Sequence, residues 1–221
     1  VKSQLGAGAQ QTKIRHTSPQ KIKDCKVQIP SFEKQAVIGE LLFNIDRQIE
    51  RNNAIVKRLQ VLSQAIFNKY FANETHAVSF LEFPYIRTLK PGIFKFSGTK
   101  RYIATAEVDG DRINYNSPLI EYATRENRAN MQPEKFTVWF AKMKNSIKHI
   151  YISKQDDLLI RDYIFSTGFC GIECDEIAFE YMINYLNLPY FEKEKDILSH
   201  GATMEGVNNE DLKSFKIHLP T

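Results

Sequence analysis

Four short stretches of the chain concentrate the side chains that hold phosphates and read the edges of bases. Phosphate contacts require lysine or arginine, and base readout requires arginine, lysine or small polar residues on loops that can enter a groove. The stretches are residues 95–102, 124–132, 142–148 and 199–203. They predict DNA contacts by Lys95, Thr99, Lys100, Arg101, Arg125, Asn127, Arg128, Lys142, Lys144, Asn145, Lys148, His200 and Thr203.

Each stretch taken alone also has an ordinary interpretation as a solvated surface run. The DNA interpretation gains when the four are considered together, because the acidic residues gather elsewhere, in residues 174–180 and 191–196. Tyr102, Phe165 and Phe169 could flank DNA but are more typical of a core. The formal net charge of +4 is compatible with a polyanionic partner and is equally common among other proteins.

Motifs for catalysis are missing from the sequence. It contains no dinucleotide-binding glycine motif, no methyltransferase Asn/Asp-Pro-Pro-Tyr/Phe motif and no Walker sequence. The Asp-x-Lys triplets at Asp24 and Asp211 lack an upstream Pro-Asp, which favours strand-edge charges over nuclease centres. We therefore expect no enzymatic activity and no cofactor. We also expect no metal, because the five histidines form no pair at helical spacing; they are His16, His76, His149, His200 and His218.

The three cysteines, Cys25, Cys170 and Cys174, predict a reduced cytoplasmic protein, because their number is odd and their spacing fits no disulfide framework. The Cys-x₃-Cys pair could suggest zinc, but no matching pair follows at zinc-site spacing, so buried free thiols are the better interpretation. No stretch reaches transmembrane length, which predicts no membrane partner.

A single long helix is predicted over residues 31–73, starting after Pro30 with Ser31 as its cap. At roughly 40 residues it would be about 60 Å long. An apolar heptad seam typical of a coiled coil predicts helix pairing, and it is widened on one side by Leu41, Ile55 and Leu62. The predicted pairing residues are Ile38, Leu42, Ile45, Ile49, Asn52, Val56, Leu59 and Ile66, with Ser63 and Tyr70 completing the frame.

The rest of the chain predicts an α+β fold: a mixed α/β domain attached to the coiled-coil helix. Alternating apolar residues predict strands, and an amphipathic pattern closed by Pro189 predicts a helix over residues 175–188. A short half-buried strand is also expected at residues 25–29. The strands of the domain are predicted at residues 78–83, 101–108, 136–140 and 147–152.

The end of the chain repeats its beginning. Residues 201–207 match residues 8–14 in their Gly-Ala start, and residues 212–220 match residues 22–30 through their lysines, apolar positions and final proline. A repeat at this spacing indicates two equivalent domain ends. We therefore expect residues 1–30 to be the C-terminal tail of a preceding domain, residues 31–73 a spacer helix, and residues 77–221 a complete domain.

Several segments, in this order, resemble the specificity subunit of type I restriction-modification systems. Residues 29–38 (IPSFEKQAVI) are similar to that family's junction between a domain and a helix, and residues 42–49 (LFNIDRQI) to its spacer helix. Residues 156–160 (DDLLI) and 201–204 (GATM) resemble landmarks of its target-recognition domains. The resemblance covers nearly the whole chain.

The resemblance implies a non-catalytic subunit that reads half of a bipartite site on double-stranded DNA. Such a subunit docks methyltransferase subunits on its helices and, through them, the restriction subunit. The family has two target-recognition domains and two antiparallel spacer helices. This sequence matches one complete domain, one helix and the last residues of the other domain.

An exposed seam also needs a cover, and the expected cover is the same helix of a second copy, giving an antiparallel homodimer. Asn52 lies near the middle of the helix and would face its symmetry mate, which fixes the register. A competing hypothesis is a structural or partner-docking coiled-coil protein without DNA readout. Steep salt dependence of duplex binding would separate the two.

Overall fold

The computed structural model describes residues 19–71, 77–201 and 205–218. They belong to two compact units, Val1–Arg58 and Leu59–Thr221, called here the first and the second unit. Several predicted features lie outside the described residues: the first copy of the Gly-Ala repeat at residues 8–14, the polar segment at residues 73–76, and the side chains of His16, His76 and Thr203.

The predicted long helix is confirmed. After a short helix α1 (Pro19–Lys23), helix α2 runs over Phe32–Phe71. Its first turn is closed by the Gln35 N–H, which donates to the Ser31 carbonyl at 2.9 Å. A backbone hydrogen bond and one with the Ser31 side chain lower the pKa of the Glu33 carboxyl, a charge that the positive end of a helix favours.

The strand predicted at residues 25–29 is wrong. This segment has neither helix nor strand, and Val27 and Ile29 are 61% and 73% exposed. Its repeat copy does form a strand, Lys216–His218, because it pairs with Ala77–Ser79. A strand exists only where a neighbour satisfies its backbone, and the described residues offer no such neighbour to residues 25–29.

The second unit contains the predicted mixed α/β domain, with two four-stranded sheets. The central sheet has the order β2-β11-β8-β9 and the outer sheet the order β6-β3-β10-β7. Two-stranded pairs join β1 to β12 and β4 to β5. The strands of the described residues are β1 (Ala77–Ser79), β2 (Ile86–Thr88), β3 (Thr99–Ile103), β4 (Val108–Asp109), β5 (Arg112–Ile113), β6 (Leu119–Glu121), β7 (Ala129–Met131), β8 (Thr137–Ala141), β9 (His149–Ile152), β10 (Tyr163–Ser166), β11 (Phe169–Cys174) and β12 (Lys216–His218).

Three helices accompany these sheets: α3 (Asp157–Asp162), α4 (Glu176–Leu186) and α5 (Pro189–Leu198). Pro189 does not merely end the predicted helix; it begins α5, at a position where its missing N–H removes no hydrogen bond. Two predicted strands are also shorter than expected. They end at Ser79 and Ile103 and continue as 3₁₀ turns over Phe80–Glu82 and Thr105–Glu107.

The central sheet is buried on both faces, which explains why β8 is apolar without alternation. Val138 and Phe140 pack with α4, whereas Trp139 faces the outer sheet and meets Phe165 edge-on with ring centroids 5.0 Å apart. A Cβ at Gly171 would lie 2.4 Å from the Trp139 ring. The layers are therefore helices, central sheet and outer sheet.

The last turns of α2 pack within the second unit. Phe67 is buried, and its ring centroid lies 5.0 Å from that of Tyr181 on α4. The Ser63 hydroxyl donates to the Asn184 side-chain oxygen at 2.8 Å. The polar residue at this seam position therefore has a partner within its own chain.

Cys170 and Cys174 confirm the interpretation as buried free thiols. Both belong to the core on β11, and burial raises the pKa of each thiol to about 12.

We expect a thiol reagent such as Ellman's reagent to modify Cys25 alone in the folded protein at pH 8, and all three thiols in denaturant. The Cys25→Ser variant is the control and should show no rapid reaction; fast modification of a second thiol would contradict the packing of β11.

Candidate nucleic-acid interface

Two of the predicted stretches meet on the outer face of the outer sheet. Phe96 and Tyr122 pack edge-on with ring centroids 5.7 Å apart. The Lys100 ammonium lies 5.3 Å from the centroid of the Phe96 ring, and the Arg125 guanidinium lies 4.2 Å from that of Tyr122. We call these four residues the aromatic–cation cluster. It joins residues 95–102 to residues 124–132, which the sequence alone could not place together.

The side chain of Arg125 is hydrogen-bonded, and Lys100 is carried by a paired strand. Arg125 donates from Nη1 to the Tyr122 carbonyl at 2.5 Å. Lys100 pairs through its backbone with Ile120 in the outer sheet, and partial burial lowers the pKa of its ammonium while Asp162 opposes the shift. A cation above an aromatic ring keeps its charge and its free donors. Such a cluster can therefore still receive an anion.

The other predicted residues of these two stretches differ in exposure and in their hydrogen bonds. Lys95, Thr99 and Asn127 are exposed. Arg101 is half-buried and donates from Nη1 to the Ser117 carbonyl at 2.7 Å, which ties β3 to the loop before β6. The position of Arg101 thus has a structural role whether or not it also meets DNA.

The turn between β10 and β11 brings the second and third predicted stretches together. The Thr167 N–H donates to the Arg128 carbonyl at 2.9 Å, and the Lys142 N–H donates to the Gly168 carbonyl at 3.0 Å. A Cβ at Gly168 would lie 2.9 Å from Arg128 Nη2. The absence of that side chain lets the guanidinium approach the turn. Lys148 is anchored nearby, since its ammonium donates to the Thr105 carbonyl at 2.7 Å, and Thr105 also contacts the Gly168 position.

The separation of basic and acidic residues expected from the sequence is wrong for residues 142–148. Lys144 forms a 2.5 Å ion pair with Glu205, and hydrogen bonding and attraction to Glu205 raise the pKa of Lys144. The Asn145 N–H donates to Asp196 of the acidic segment at 2.9 Å, with Asn145 in the left-handed region at φ 56°. The sequence could not reveal this, because 51 residues separate Asn145 from Asp196.

A buried charge network lies beneath this loop. Glu192 on α5 is 2.9 Å from His149 Nε2 and 2.6 Å from the ammonium of Lys195. Lys195 is fully buried and donates to the Ser146 carbonyl at 2.8 Å. Burial alone would raise the pKa of Glu192, but the hydrogen bonds and charges of His149 and Lys195 outweigh it, so that the pKa is lowered. We call these three ionisable residues the buried charge network. The sequence did not indicate this network, because nothing in the sequence of a short helix shows that one of its lysines will be buried.

His200 is exposed, but both nitrogens of its ring have partners within the chain. Its Nδ1 is 3.1 Å from the Leu198 carbonyl and 3.6 Å from Asp211, and its Nε2 is 3.2 Å from the Asn208 side-chain amide. These contacts connect His200 to Asn208 and Asp211. Thr203, the other predicted residue of this stretch, lies outside the described residues.

The predicted helix seam is exposed along the described helix α2. Its apolar members and the residues that widen it are between 44% and 60% exposed. These residues are Ile38, Leu41, Leu42, Ile45, Ile49, Ile55, Val56, Leu59, Leu62 and Ile66. The chain by itself therefore presents a second candidate surface, which is apolar.

Charged residues interrupt α2 too often for it to cross a bilayer, and within residues 19–71, 77–201 and 205–218 the structure has no helix suited to that role. The same ranges contain no group of three or more histidine, cysteine, aspartate or glutamate side chains placed to hold a metal ion.

Solved structures provide the comparison with known proteins; no family model and no curated protein sequence matches the chain. The S subunit of a type I restriction-modification system from M. genitalium aligns with 99% of this chain at 15% identity and a TM-score of 0.51. The HsdS subunit of Thermoanaerobacter tengcongensis aligns at 13% identity and a TM-score of 0.47. A chain from a structure on complex assembly and conformational transition of the type I R-M system aligns at 14% and 0.47.

The chain spans little more than half of each of these proteins, between 55% and 58% of their length. The similarity to the M. genitalium subunit shows that this chain has the same fold, a long helix followed by a mixed α/β domain. The α+β fold class predicted from the sequence is thereby confirmed.

Proposed function

We propose that this chain is part of the specificity subunit of a cytoplasmic type I restriction-modification complex, and that it reads half of a bipartite site on double-stranded DNA. Residues 77–221 would be the target-recognition domain, residues 31–73 the spacer helix, and residues 1–30 the tail of a preceding target-recognition domain. The observation that carries the proposal is the aromatic–cation cluster, formed where the sequence predicted DNA contacts. The shared fold supports it.

The cluster favours a phosphate ligand over an acidic partner within the chain. Among the described residues, neither Lys100 nor Arg125 forms an ion pair with a carboxylate within 4 Å, whereas Lys144 does. Arginine and lysine held on a rigid surface without such a partner are the side chains that neutralise a nucleic acid backbone. We therefore expect Lys100 and Arg125 to contribute more to DNA affinity than Lys144.

The exposed seam of α2 supports protein partners. We propose that it pairs with the same helix of a second copy, and that the helix also docks methyltransferase subunits and, through them, the restriction subunit. A seam that is apolar and about half exposed along several turns is a surface that proteins usually cover. The chain itself would transfer no methyl group; methylation of DNA by the purified chain with S-adenosylmethionine would contradict this.

Duplex binding measured against salt tests the DNA proposal. We expect affinity for a duplex to fall steeply with salt, and Lys100→Ala with Arg125→Ala to reduce the slope of log K against log salt by about 1.8, that is about 0.9 for each lost phosphate contact. Lys142→Ala with Lys144→Ala should reduce the slope less, because Glu205 already neutralises Lys144.

Lys213→Ala with Lys216→Ala is the matched control, since it removes two exposed positive charges outside the predicted stretches. Its slope should stay close to that of the wild type. Equal slopes for all three double variants would show that duplex binding depends only on the net charge of the chain and not on the proposed contacts of Lys100 and Arg125. Duplex binding that does not respond to salt, or no binding, would favour the alternative function of a partner-docking coiled-coil protein.

A further inference from the structure

Phe94 is 79% exposed, although the loop that carries it is firmly held. The Gly92 N–H donates to the Asn130 carbonyl at 2.8 Å, and Gly92 forms a bridge with Met131 at the end of β7. On the other side, Phe96 packs against the aliphatic and aromatic residues of the outer sheet face. The exposure of Phe94 is therefore imposed by its anchored neighbours.

Two nearby residues of this loop, Ile93 and Phe96, show the contrast. Ile93, immediately before it, packs against the same small core as Phe96, the cluster of Tyr102, Ala129 and Ile164. Phe94, which lies between them in the sequence, is not part of that core. A single exposed apolar residue is ordinary on a protein surface. Phe94 is distinguished by its position in a loop that is anchored on both sides and carries cations.

The charges around Phe94 indicate which ligand that is. Lys95 follows it directly and is exposed, and Lys100 and Arg125 stand over the rings of the aromatic–cation cluster. A protein partner with an apolar surface would have to bury these cations, whereas a nucleic acid pairs them with phosphates. An exposed phenylalanine followed by a lysine, in the loop that also carries Phe96 of the aromatic–cation cluster, matches side chains that insert between base steps.

We propose that Phe94 is a wedge that enters a base step of the duplex bound at the aromatic–cation cluster, with Lys95, Lys100 and Arg125 on the flanking phosphates. The inference rests on the proposed function and adds how part of the site is read. A wedge selects DNA by deformability, because pyrimidine–purine steps unstack more easily than others. Position-specific preference for such a step would then arise without hydrogen bonds to its bases.

Selection from a pool of 30-base-pair duplexes with a random centre tests this, using the complete 221-residue chain. The motif enriched by the wild type should contain a pyrimidine–purine step. Phe94→Ala should retain the rest of the motif, lose that step and bind about tenfold more weakly, as expected for one lost stacking contact. Phe94→Leu should retain most of the preference. The salt slope should be unchanged in both variants, since no phosphate contact is removed.

Ile177→Ala is the matched control, because Ile177 is 91% exposed but lies between acidic residues at the start of α4. It should bind like the wild type. A 2-aminopurine placed at the selected step should brighten on binding of the wild type and stay dark with Phe94→Ala. If Phe94→Ala selects the same motif with equal affinity and brightening, the wedge is wrong and the DNA proposal stands. If the wild type shows no salt-dependent duplex binding, both fail.

Discussion

Replacing Ile45 and Ile49 by glutamate will convert the proposed homodimer into a monomer at micromolar concentration. Both side chains lie on the seam of α2 and are 46% and 52% exposed in the single chain. In a symmetric dimer each substitution occurs twice, so four buried apolar contacts become four carboxylates near one another. Since burial of one such side chain is worth about 1.5–3 kcal/mol, the dissociation constant should rise more than about a hundredfold.

Sedimentation equilibrium measures this change directly. Glutamate is a good helix former, so α2 itself should persist, which circular dichroism can verify. Val37→Glu with Val61→Glu is the matched control, because these residues are 68% and 64% exposed on α2 but lie off the seam. The control should remain a dimer. A wild-type chain that is monomeric at all attainable concentrations would rule out pairing through this helix.

Cysteine cross-linking tests the direction of pairing. Ile45 and Leu59 lie seven residues before and after Asn52, so an antiparallel pair centred on Asn52 places Ile45 of one copy opposite Leu59 of the other. In a Cys25→Ser background, Ile45→Cys should form a disulfide with Leu59→Cys when the two variants are mixed, and none with itself. A parallel pair in register would give the opposite result.

The proposed two-fold symmetry would also account for the width of the apolar stripe. A two-fold axis at Asn52 would place Leu42 of one copy opposite Leu62 of the other, and Ile49 opposite Ile55. Residues beside the seam of one copy would then meet seam residues of the other. All four are exposed in the chain alone. A second copy could therefore cover the stripe, and the proposed docking of methyltransferase subunits would have to use the remaining surface or compete with the second copy. Leu62→Glu should weaken the dimer and separate these possibilities, because docking that persists would lie elsewhere.

Local patterns predicted those elements whose causes are local. The apolar period and the Pro30–Ser31 start located α2 almost to the residue, and the apolar run of β8 placed a strand that the structure has at Thr137–Ala141. Elements that depend on a distant partner were predicted less well. Residues 25–29 and 216–218 have similar sequences, yet only the latter meet β1 and become a strand.

The candidate interface shows the same division. Residue types identified residues 95–102 and 124–132. They meet because Phe96 contacts Tyr122, whose ring carries Arg125, and this contact depends on the order of strands in the outer sheet. The acidic neighbours of residues 142–148 are Asp196 on α5 and Glu205 beyond it, neither of which is near these residues in the sequence. Phe94 was not singled out at all, because exposure of an aromatic residue depends on how its neighbours pack and leaves no sign in composition.

Replacing Lys195 by methionine will destabilise the protein by about 3–5 kcal/mol, the cost of leaving a buried charge without its partner. Lys195 is fully buried, and its removal leaves Glu192 with His149 alone and the Ser146 carbonyl without its donor. Lys193→Met on the same helix is the control; Lys193 is exposed, so the change should be small. Unfolding in urea at pH 7 measures both variants, and a loss below about 1 kcal/mol for Lys195→Met would contradict the network.

The same network predicts how stability depends on pH. The pKa of Glu192 is lowered in the folded protein from its ordinary value near 4.5. The folded state therefore binds the proton less readily than the unfolded state, so Glu192 stabilises the fold above about pH 4.5 and this contribution is lost as the pH falls through the lowered value. Wild-type unfolding free energy should fall on acidification, and Glu192→Gln should remove that part of the fall.

Replacing Glu192 by leucine together with Lys195→Met should recover much of the stability lost in the single variant, because no unpaired carboxylate then remains buried. If the double variant is as unstable as the single one, the cost arises from lost contacts with the loop at Ser146 and not from charge.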